Sequence, residues 1–418
     1  MNTAIILVLN CGSSSLKFGL YQLKSPSINT FKEESFIDDS FEYQSSQIKT
    51  LFSGEAESVA TDHGRFHAKN SCGTPLFDEA LNFASHKEAI LHIVGVLAEL
   101  NMPAPIAVGH RVVHGGFKLR QHCMIDDVVI KKIEAASSFA PLHNKAALSV
   151  IKMTKAVFPD LPQIACFDTI FHAEMPEVAS MLPIPKVLQL EGMRRYGFHG
   201  LSFESILNQL GVKLPKRLVI AHLGNGASIT AIKNGKSIDT SMGLTPTGGM
   251  MMSTRSGDID PGILIYLMRE KRFDAAMLEN LVDHQSGLLG ISGVDSDMQR
   301  LRQAEKSNHY AKLAIQMFCY AAQKQIAAMI SVLGGINMLV FTGGIGENDY
   351  ETRAKIVEGL TWAGVNLNAT KNQCTQHYSK NYSIQDATSH CELKVIASNE
   401  DEQIARHTLT LLNEYTFN

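Results

Sequence analysis

The chain of 418 residues has a single tryptophan and almost no charge imbalance, with 38 Lys and Arg against 41 Asp and Glu, a net −3. A protein that works on nucleic acid wants a basic face, so that class is set aside; a few placed cations would still hold a small anion. Cysteine is sparse and unpatterned. The seven, Cys11, Cys72, Cys123, Cys166, Cys319, Cys374 and Cys391, are odd in number and form no Cys-x-x-Cys pair. That argues against a disulfide frame or a zinc site and for reduced thiols in the cytoplasm. Unbroken hydrophobic runs are missing too. The nearest, "QIAAMISVLGGINMLVFTGGIG" at 325–346, is interrupted by Gly334-Gly335 and Asn337. A helix ending at the glycines and a strand after them are expected there, and no membrane span. No basic segment precedes the short apolar run Ala4–Leu9, so no secretory leader is expected. Neither common phosphate-loop signature occurs. "TAIKNGKS" has Thr230 where a P-loop has its first glycine, and "GNGASI" and "GIGEND" both fail the last glycine of Gly-x-Gly-x-x-Gly.

What is present is a soluble, globular composition, 45% hydrophobic and 19% charged, on a chain too long for one ordinary core. Two domains are therefore expected. A strand pair is predicted at roughly 4–23, and irregular strands with surface loop over the polar stretch 24–75. The apolar spacing of 86–100 predicts a helix. A strand ending in a glycine-rich turn is read at 105–116, a loop at "APLHN" leading into a helix stopped by Pro159, and a buried strand ending at Asp168. From 217 to 242 the order is strand, glycine turn, strand, Asn234-Gly235 turn, strand. Helices follow to about 333, then a strand, a glycine turn at 343–348, a helix from about 349, a late strand and a closing amphipathic helix. "LVLNCGSSSLKFGLY" and "VIAHLGNGASITAIK" share one plan, which suggests two α/β halves with a ligand cleft between them.

Three polar glycine turns, Asn10–Ser15, Gly224–Ser228 and Gly343–Asn348, follow buried strands. Their backbone N–H groups can converge on an anion, and together they point to a nucleotide. Arg111 in "GHRVVHGG" and Arg255 in "MMMSTRSGDIDPG" sit at a strand end and in a polar turn; Arg255 reads as a group for bidentate recognition of carboxylate or phosphate, and Arg111 reads equally as such a group or as a structural arginine. Asp168 reads equally as a carboxylate facing a ligand crevice or as a helix N-cap. His199 in "RRYGFHG" could donate a hydrogen bond or positive charge near a phosphoryl group. Glu400, at the start of the last helix, reads by itself as a residue answering the helix dipole.

"NCGSSSLKF", "HRVVHGG", "APLHN", "FDTIFH", "RYGFHG", "HLGNGAS", "MGLTP", "TRSGDIDP", "GGIGEN" and "SNEDEQIA" stand in an order, from residue 5 to about 407, that resembles the acetate kinase family. The family belongs to a superfamily with sugar kinases, chaperone ATPases and actin. The resemblance implies two actin-like, ribonuclease H-like α/β domains, each a mixed sheet flanked by helices, with the active-site cleft between them. The expected boundaries are 1–170 plus 400–418 for the N-terminal domain and 171–399 for the nucleotide-binding and dimerisation domain. The implied reaction is reversible transfer from ATP to acetate, giving ADP and acetyl phosphate, with Mg²⁺ or, in its place, Mn²⁺. By position the resemblance makes Asp168, Arg111, Arg255 and His199 catalytic. Around the acetate it places Arg111, Val113, Leu142, His143, Phe198 and Pro246. On the nucleotide side it places Asn10, Ser13, Ser15 and Lys17 of the first hairpin, His222, Leu223, Gly224, Asn225 and Gly226 of the second, Asp297, Met298 and Gln299, and Gly343, Gly344, Ile345, Gly346 and Asn348. Asn10 and Glu400 are the implied metal residues. A cytoplasmic homodimer without nucleic-acid or membrane partners is implied as well.

This sequence departs from the family pattern where Leu-Glu-Gly usually follows "MGLTP" and Thr247-Gly248-Gly249 stands instead, a change expected to alter the loop beside Arg255. It departs again where Asp297 is followed by Met298 and Gln299 in place of Phe-Arg, with Arg300 the neighbouring substitute. The rival readings are a propionate kinase of the same family and an ATPase switch of the actin or chaperone kind. A switch has no use for a carboxylate site flanked by arginines.

Overall fold

The computed structural model describes residues 3–12, 15–24, 48–373 and 381–416. The first strand, β1 (Thr3–Cys11), explains its own composition. Ile5, Leu7, Leu9 and Cys11 enter one core with Phe18, Phe52 and Phe66 and with Ile90 and Ile93 of the helix His86–Glu99. Ala4, Ile6 and Val8 point the other way, into a core with Ile404, Ala405 and Leu409 of the helix Glu400–Thr416. A strand buried on both faces reads as a continuous apolar run, not as an alternation.

Seven further strands complete its sheet: β2 (Leu16–Lys24), β3 (Ile48–Glu57), β4 (Arg65–Asn70), β5 (Pro75–Ala80), β6 (Ala107–Val112), β7 (Cys123–Met124) and β8 (Gln163–Phe167). The order is β5-β4-β3-β2-β1-β6-β8-β7. The steps from β5 to β1 are antiparallel, β1-β6 and β6-β8 are parallel, and β7 is antiparallel to β8. A second sheet contains β9 (Arg217–Leu223), β10 (Ala227–Lys233), β11 (Lys236–Thr240), β12 (Met338–Thr342), β13 (Asn381–Ser383) and β14 (Glu392–Ile396), in the order β11-β10-β9-β12-β14-β13. Here too an antiparallel hairpin, β9-β10, is followed by parallel neighbours, β12 and then β14. The echo between the hairpins at 4–23 and 217–233 is thus an echo of sheet topology.

The chain divides into two compact units, Met1–Ile170 with Gly200–Val212 and Asn399–Asn418, and Phe171–His199 with Lys213–Ser398. The helix Gly200–Leu210 lies in the first unit, whereas the sequence reading counted it with the C-terminal domain. Its Leu201 joins the core of Ile404 and Ala405, and its Ser205 Oγ accepts from Asn399 N at 2.9 Å. These are long-range contacts that no local pattern announces.

Other expectations change in detail. Of the stretch 24–75, expected as irregular strands with surface loop, residues 25–47 lie outside the described residues, and the rest forms regular strands, β3 to β5, joined by turns, that extend the first sheet. Their periodicity is faint because β3 buries only Phe52 and Ala56 completely. "APLHN" is the first turn of the helix Pro141–Val157, with proline at its start. Residues 343–348 form a short helix, Gly343–Asn348, where a glycine turn was expected. The run at 325–346 resolves into the helix His309–Leu333, capped by Gly334 in the left-handed conformation, and β12. No helix among the described residues is long and apolar enough to cross a membrane.

His110 on β6 is buried, its Nε2 2.8 Å from Gln163 Oε1, and burial pushes its pKa down to about 4. Between its unfolded value and that figure the unfolded chain takes up a proton that the fold refuses, so stability falls as pH falls through this window. His110→Gln removes this dependence. Its stability relative to wild type should improve by roughly 1–2 kcal/mol between pH 7 and pH 5, measured by urea unfolding; an unchanged difference would mean that His110 is charged inside the fold.

Candidate active site

In the first unit the functional side chains gather at the carboxyl ends of two parallel strands. Arg111 on β6 lies opposite Cys166 on β8, and Val112 opposite Phe167, so Asp168 emerges beside the end of β6. Its amide donates to Val112 O at 3.1 Å. Arg111 Nη2 donates to Asp168 Oδ2 at 2.6 Å and Nε to the same oxygen at 3.0 Å and to Oδ1 at 3.2 Å. Asp168 is only 1% exposed. On its other side the guanidinium reaches Asn10 Oδ1 at 3.4 Å, and Asn10 Nδ2 donates to Asp401 Oδ1 at 2.9 Å. Glu400 Oε2 lies 3.9 Å from Arg111 Nε.

One glycine makes this assembly possible. A Cβ on Gly109 would stand 2.4 Å from Thr408 Oγ1 and 2.7 Å from Ile404 Cγ2. Its absence lets the helix Glu400–Thr416 lie against β6, which brings the acidic first turn of that helix beside Arg111. Burial pushes the Asp168 carboxyl up to about 6, with Arg111 pulling the other way and Glu400 adding to the rise. Burial also raises Asp401, against the hydrogen bond from Asn10. For Arg111 burial opposes the charge, but Asp168 and Glu400 outweigh it and hold the guanidinium ionised. Asp168 and Glu400 share one guanidinium, and Asp401 stands one hydrogen bond further on, beyond Asn10, so negative charge is in excess there.

The loop after β6 is pinned to the helix carrying His143. Asn144, fully buried next to it, accepts from His114 N at 3.1 Å and donates to His114 O at 2.8 Å. His114 Nδ1 in turn accepts from Gly116 N at 2.8 Å. Val113 is buried in this loop. The Leu142 side chain and Ser13 lie outside the described residues. Lys17 is exposed beside Asn10 on the paired strand β2, and Ser15 O accepts from Gly12 N at 2.9 Å to close the hairpin.

The second unit gathers a different set. His199 has a left-handed backbone, φ +60°, rare for a residue with a side chain. Its neighbour Phe198 is buried, with its carbonyl 3.1 Å from His172 Nε2. His199 Nδ1 lies 2.9 Å from Ser228 Oγ, and its ring stacks on His222 at 4.2 Å and 15°. A Cβ on Gly226 would be 3.2 Å from His199 Nε2 and 3.5 Å from Arg255 Nη1, so these two side chains converge over a glycine. Arg255 Nη1 donates to Pro246 O at 3.3 Å. Asn225, at the tip of the β9-β10 turn, is held by Ser253, whose N and Oγ each donate to it at 3.3 Å. Gly343 adjoins the same turn, with φ +78° and a would-be Cβ 2.7 Å from Leu223 O, so glycine is required there. Its amide donates to Glu347 Oε1 at 3.0 Å. Gly344 N lies 3.7 Å from the would-be Cβ of Gly224.

Not every expected side chain is available to a ligand. Leu223 and Met298 are buried in the core. Asp297 is the N-cap of the helix Met298–Ala304, accepting from Gln299 N and Arg300 N. Arg300 pairs with Asp295 at 3.1 Å. Asn348 Nδ2 donates to Gly344 O at 2.9 Å, while Ile345 is half-buried and Gly346 buried in the same short helix. In the departing loop, Thr247 Oγ1 donates to Asp283, and Gly249 N to Asp258 Oδ1 at 2.7 Å. Gly249 has φ +92°, and a Cβ would meet Ser241 O at 2.7 Å, so that loop is anchored at both ends. Sequence reasoning gave no role to Asp401, Asn144, Ser228 and Ser253, which orient the others; all four lie within quoted motifs, and that was their only signal.

The acetokinase family profile matches residues 5–406. The chain belongs to the acetokinase family. The acetate kinase of Shewanella sp. strain W3-18-1 is 39% identical over 424 residues, spanning 99% of this chain and 100% of the relative. Among solved structures, the Porphyromonas gingivalis acetate kinase is similar with a TM-score of 0.81 and 35% identity, covering 98% of this chain and 100% of that one. A propionate kinase from Francisella tularensis gives a TM-score of 0.83 and 37% identity, covering 97% and 98%. The fold is therefore the actin-like α/β fold of these kinases, and the activity that goes with the family is phosphoryl transfer to a carboxyl group. For an acetokinase, the Ser228 contact to His199 is a sensitive point. Ser228→Ala should lower kcat by roughly tenfold, the worth of one hydrogen bond, with little change in thermal unfolding; an unaltered kcat would detach Ser228 from His199 function.

Proposed function

We propose that this acetokinase transfers the γ-phosphoryl group of ATP to acetate, reversibly, and that the two side-chain sets just described carry the reaction. The observation that carries the reading is the pairing of Arg111 with a buried carboxylate cluster in one unit, and the convergence of Arg255 and His199 over Gly226 in the other. Phosphoryl transfer asks mainly for alignment and for positive charge on the equatorial oxygens. Acetate is already a nucleophile, so no strong base is needed; the obstacle is repulsion between two anions. Arg111 orients the carboxylate, Arg255 and His199 neutralise the phosphoryl oxygens, and Asn225 with the glycines of the β9-β10 turn lets phosphates approach the backbone. Asp168 aligns Arg111 instead of taking a proton.

Glu400 and Asn10, with Asp168 behind them, would hold Mg²⁺. Their oxygen donors and the surplus negative charge around Arg111 fit the ion. When bound, it neutralises phosphate charge. Val113, Leu142, His143, Phe198 and Pro246 are the proposed acetate-side residues. The likeness to a propionate kinase keeps that acid as the second reading, since one methylene separates the two by only about 1–3 kcal/mol.

The test is hydroxylamine trapping of acyl phosphate with ATP and Mg²⁺ across acetate, propionate and butyrate. Acetyl hydroxamate should dominate; a propionyl excess would favour the second reading, and ATP turnover without any hydroxamate would overturn both. Arg255→Ala should lower kcat by roughly 10³-fold or more, and near wild-type turnover in a folded variant would remove Arg255 from the mechanism.

A cytoplasmic homodimer is part of the proposal. The helix Pro261–Lys271 buries no residue and exposes Ile263, Ile265, Tyr266 and Met268, an apolar face suited to a second copy. Sedimentation should give twice the chain mass, and Ile265→Asp should shift it toward monomer; a wild-type monomer would refute this.

A further inference from the structure

A largely buried cluster of titratable groups that the mechanism does not use joins His122 before β7, Glu204 on the helix Gly200–Leu210 and His407 on the helix Glu400–Thr416. His407 Nε2 lies 2.6 Å from Glu204 Oε2. His122 Nε2 lies 3.9 Å from the same oxygen, too far for a hydrogen bond, and the two imidazoles are 4.1 Å apart. The His122 side chain is 10% exposed, and its Nε2 is buried without a hydrogen-bond partner.

Three ligating atoms within 4.8 Å of one another invite a metal. The tautomer speaks against one. Phe167 N–H donates to His122 Nδ1 at 3.0 Å. A backbone amide can only donate, so Nδ1 keeps its lone pair and the neutral ring carries its proton on Nε2. A metal-binding histidine does the reverse, offering a lone pair to the ion and donating its other N–H. Burial, with the charge of His407 next, lowers the His122 pKa and keeps the ring neutral.

What Nδ1 does is more informative. β7 pairs with β8 only at Cys123–Ala165 and Met124–Ile164. Beyond that point this edge of β8 has no strand partner among the described residues, and the Phe167 amide takes the His122 ring instead. The next residue is Asp168. We propose that His122 is a positioning residue for Asp168, holding the Phe167 amide where strand pairing has stopped, and that His407, held by Glu204, packs against the ring while its contact with Glu204 ties down the helix that carries Glu400 and Asp401. The inference rests on the roles given above to Asp168 and Glu400.

Two substitutions separate positioning from simple packing. His122→Asn keeps an acceptor for the Phe167 amide; His122→Leu removes it. His122→Leu should lose kcat by roughly tenfold to a hundredfold, the effect of a misplaced aligning group, with KM for ATP and acetate within about twofold. His122→Asn should restore most of it. Hydrogen exchange gives a readout independent of activity, with the Phe167 amide exposed in His122→Leu and protected in His122→Asn. Glu204→Gln, which keeps the shape and removes the charge, should lower kcat with the same unchanged KM, and it serves if His122→Leu does not fold. Equal behaviour of the two His122 variants in exchange and kcat would overturn the inference, as would an unchanged kcat in Glu204→Gln. So would stoichiometric Zn²⁺ retained by the wild-type protein through dialysis and lost in His407→Leu. An inactive wild-type protein with the expected exchange pattern would count against the kinase reading and not against the role of His122.

Discussion

The Arg111–Asp168 ion pair is the constraint around which the first unit is organised. Both groups are charged and taken out of water, so each depends on the other; removing one partner leaves the other uncompensated, a loss that usually exceeds the net worth of the pair. The pair can form only because β6 and β8 are parallel neighbours in a register that ends them together. Gly109 then admits the last helix, which brings Glu400 and Asp401 to the same guanidinium. Asn10 stands between Arg111 and Asp401, accepting from one and donating to the other. A strand register, a glycine and a helix packing angle thus become one electrostatic arrangement.

The second unit solves a different problem. Its groups are imidazoles, a guanidinium and backbone around glycines, and its geometry is set by close approach. His199 is held left-handed between a buried phenylalanine and a helix start, and Ser228 fixes its ring. Gly226 leaves the space over which His199 and Arg255 converge. The acidic set can organise a cation, and the basic set can take phosphoryl charge. Transfer between two anions needs both functions.

Much of this was legible in the chain. The hairpin at 4–23 could be read because a doubly buried strand must be apolar throughout. The Asn234-Gly235 turn could be read because few residues adopt its conformation. Arg111, Asp168, His199 and Arg255 stood out by their settings at strand ends and polar turns, and the ordered motifs resemble the family to which the chain belongs. β3 to β5 were faint because they bury little on their polar face. Residues 343–348 misled because a short glycine-rich helix and a glycine turn share a composition. Leu223 and Met298 fell at expected site positions yet point into the core, Leu223 from the end of β9 and Met298 from the first turn of a helix, because a motif fixes residue order and not which way each side chain faces.

The sequence by itself determined most of the kinds of element, the echo of one hairpin in another, the absence of the usual phosphate-loop signatures and which charged residues stand at strand ends and polar turns. These are local matters, decided by periodicity and turn chemistry. Only the tertiary structure decided that Glu400 lies 3.9 Å from Arg111 Nε, that Asp401 holds Asn10, that 200–212 belongs with the first unit, and that the His122 ring takes the Phe167 amide at the edge of β8. Each depends on residues tens to hundreds of positions apart meeting in one packed core. Such meetings leave no local pattern, because burial and hydrogen bonding act on neighbours in space, whatever their distance along the chain.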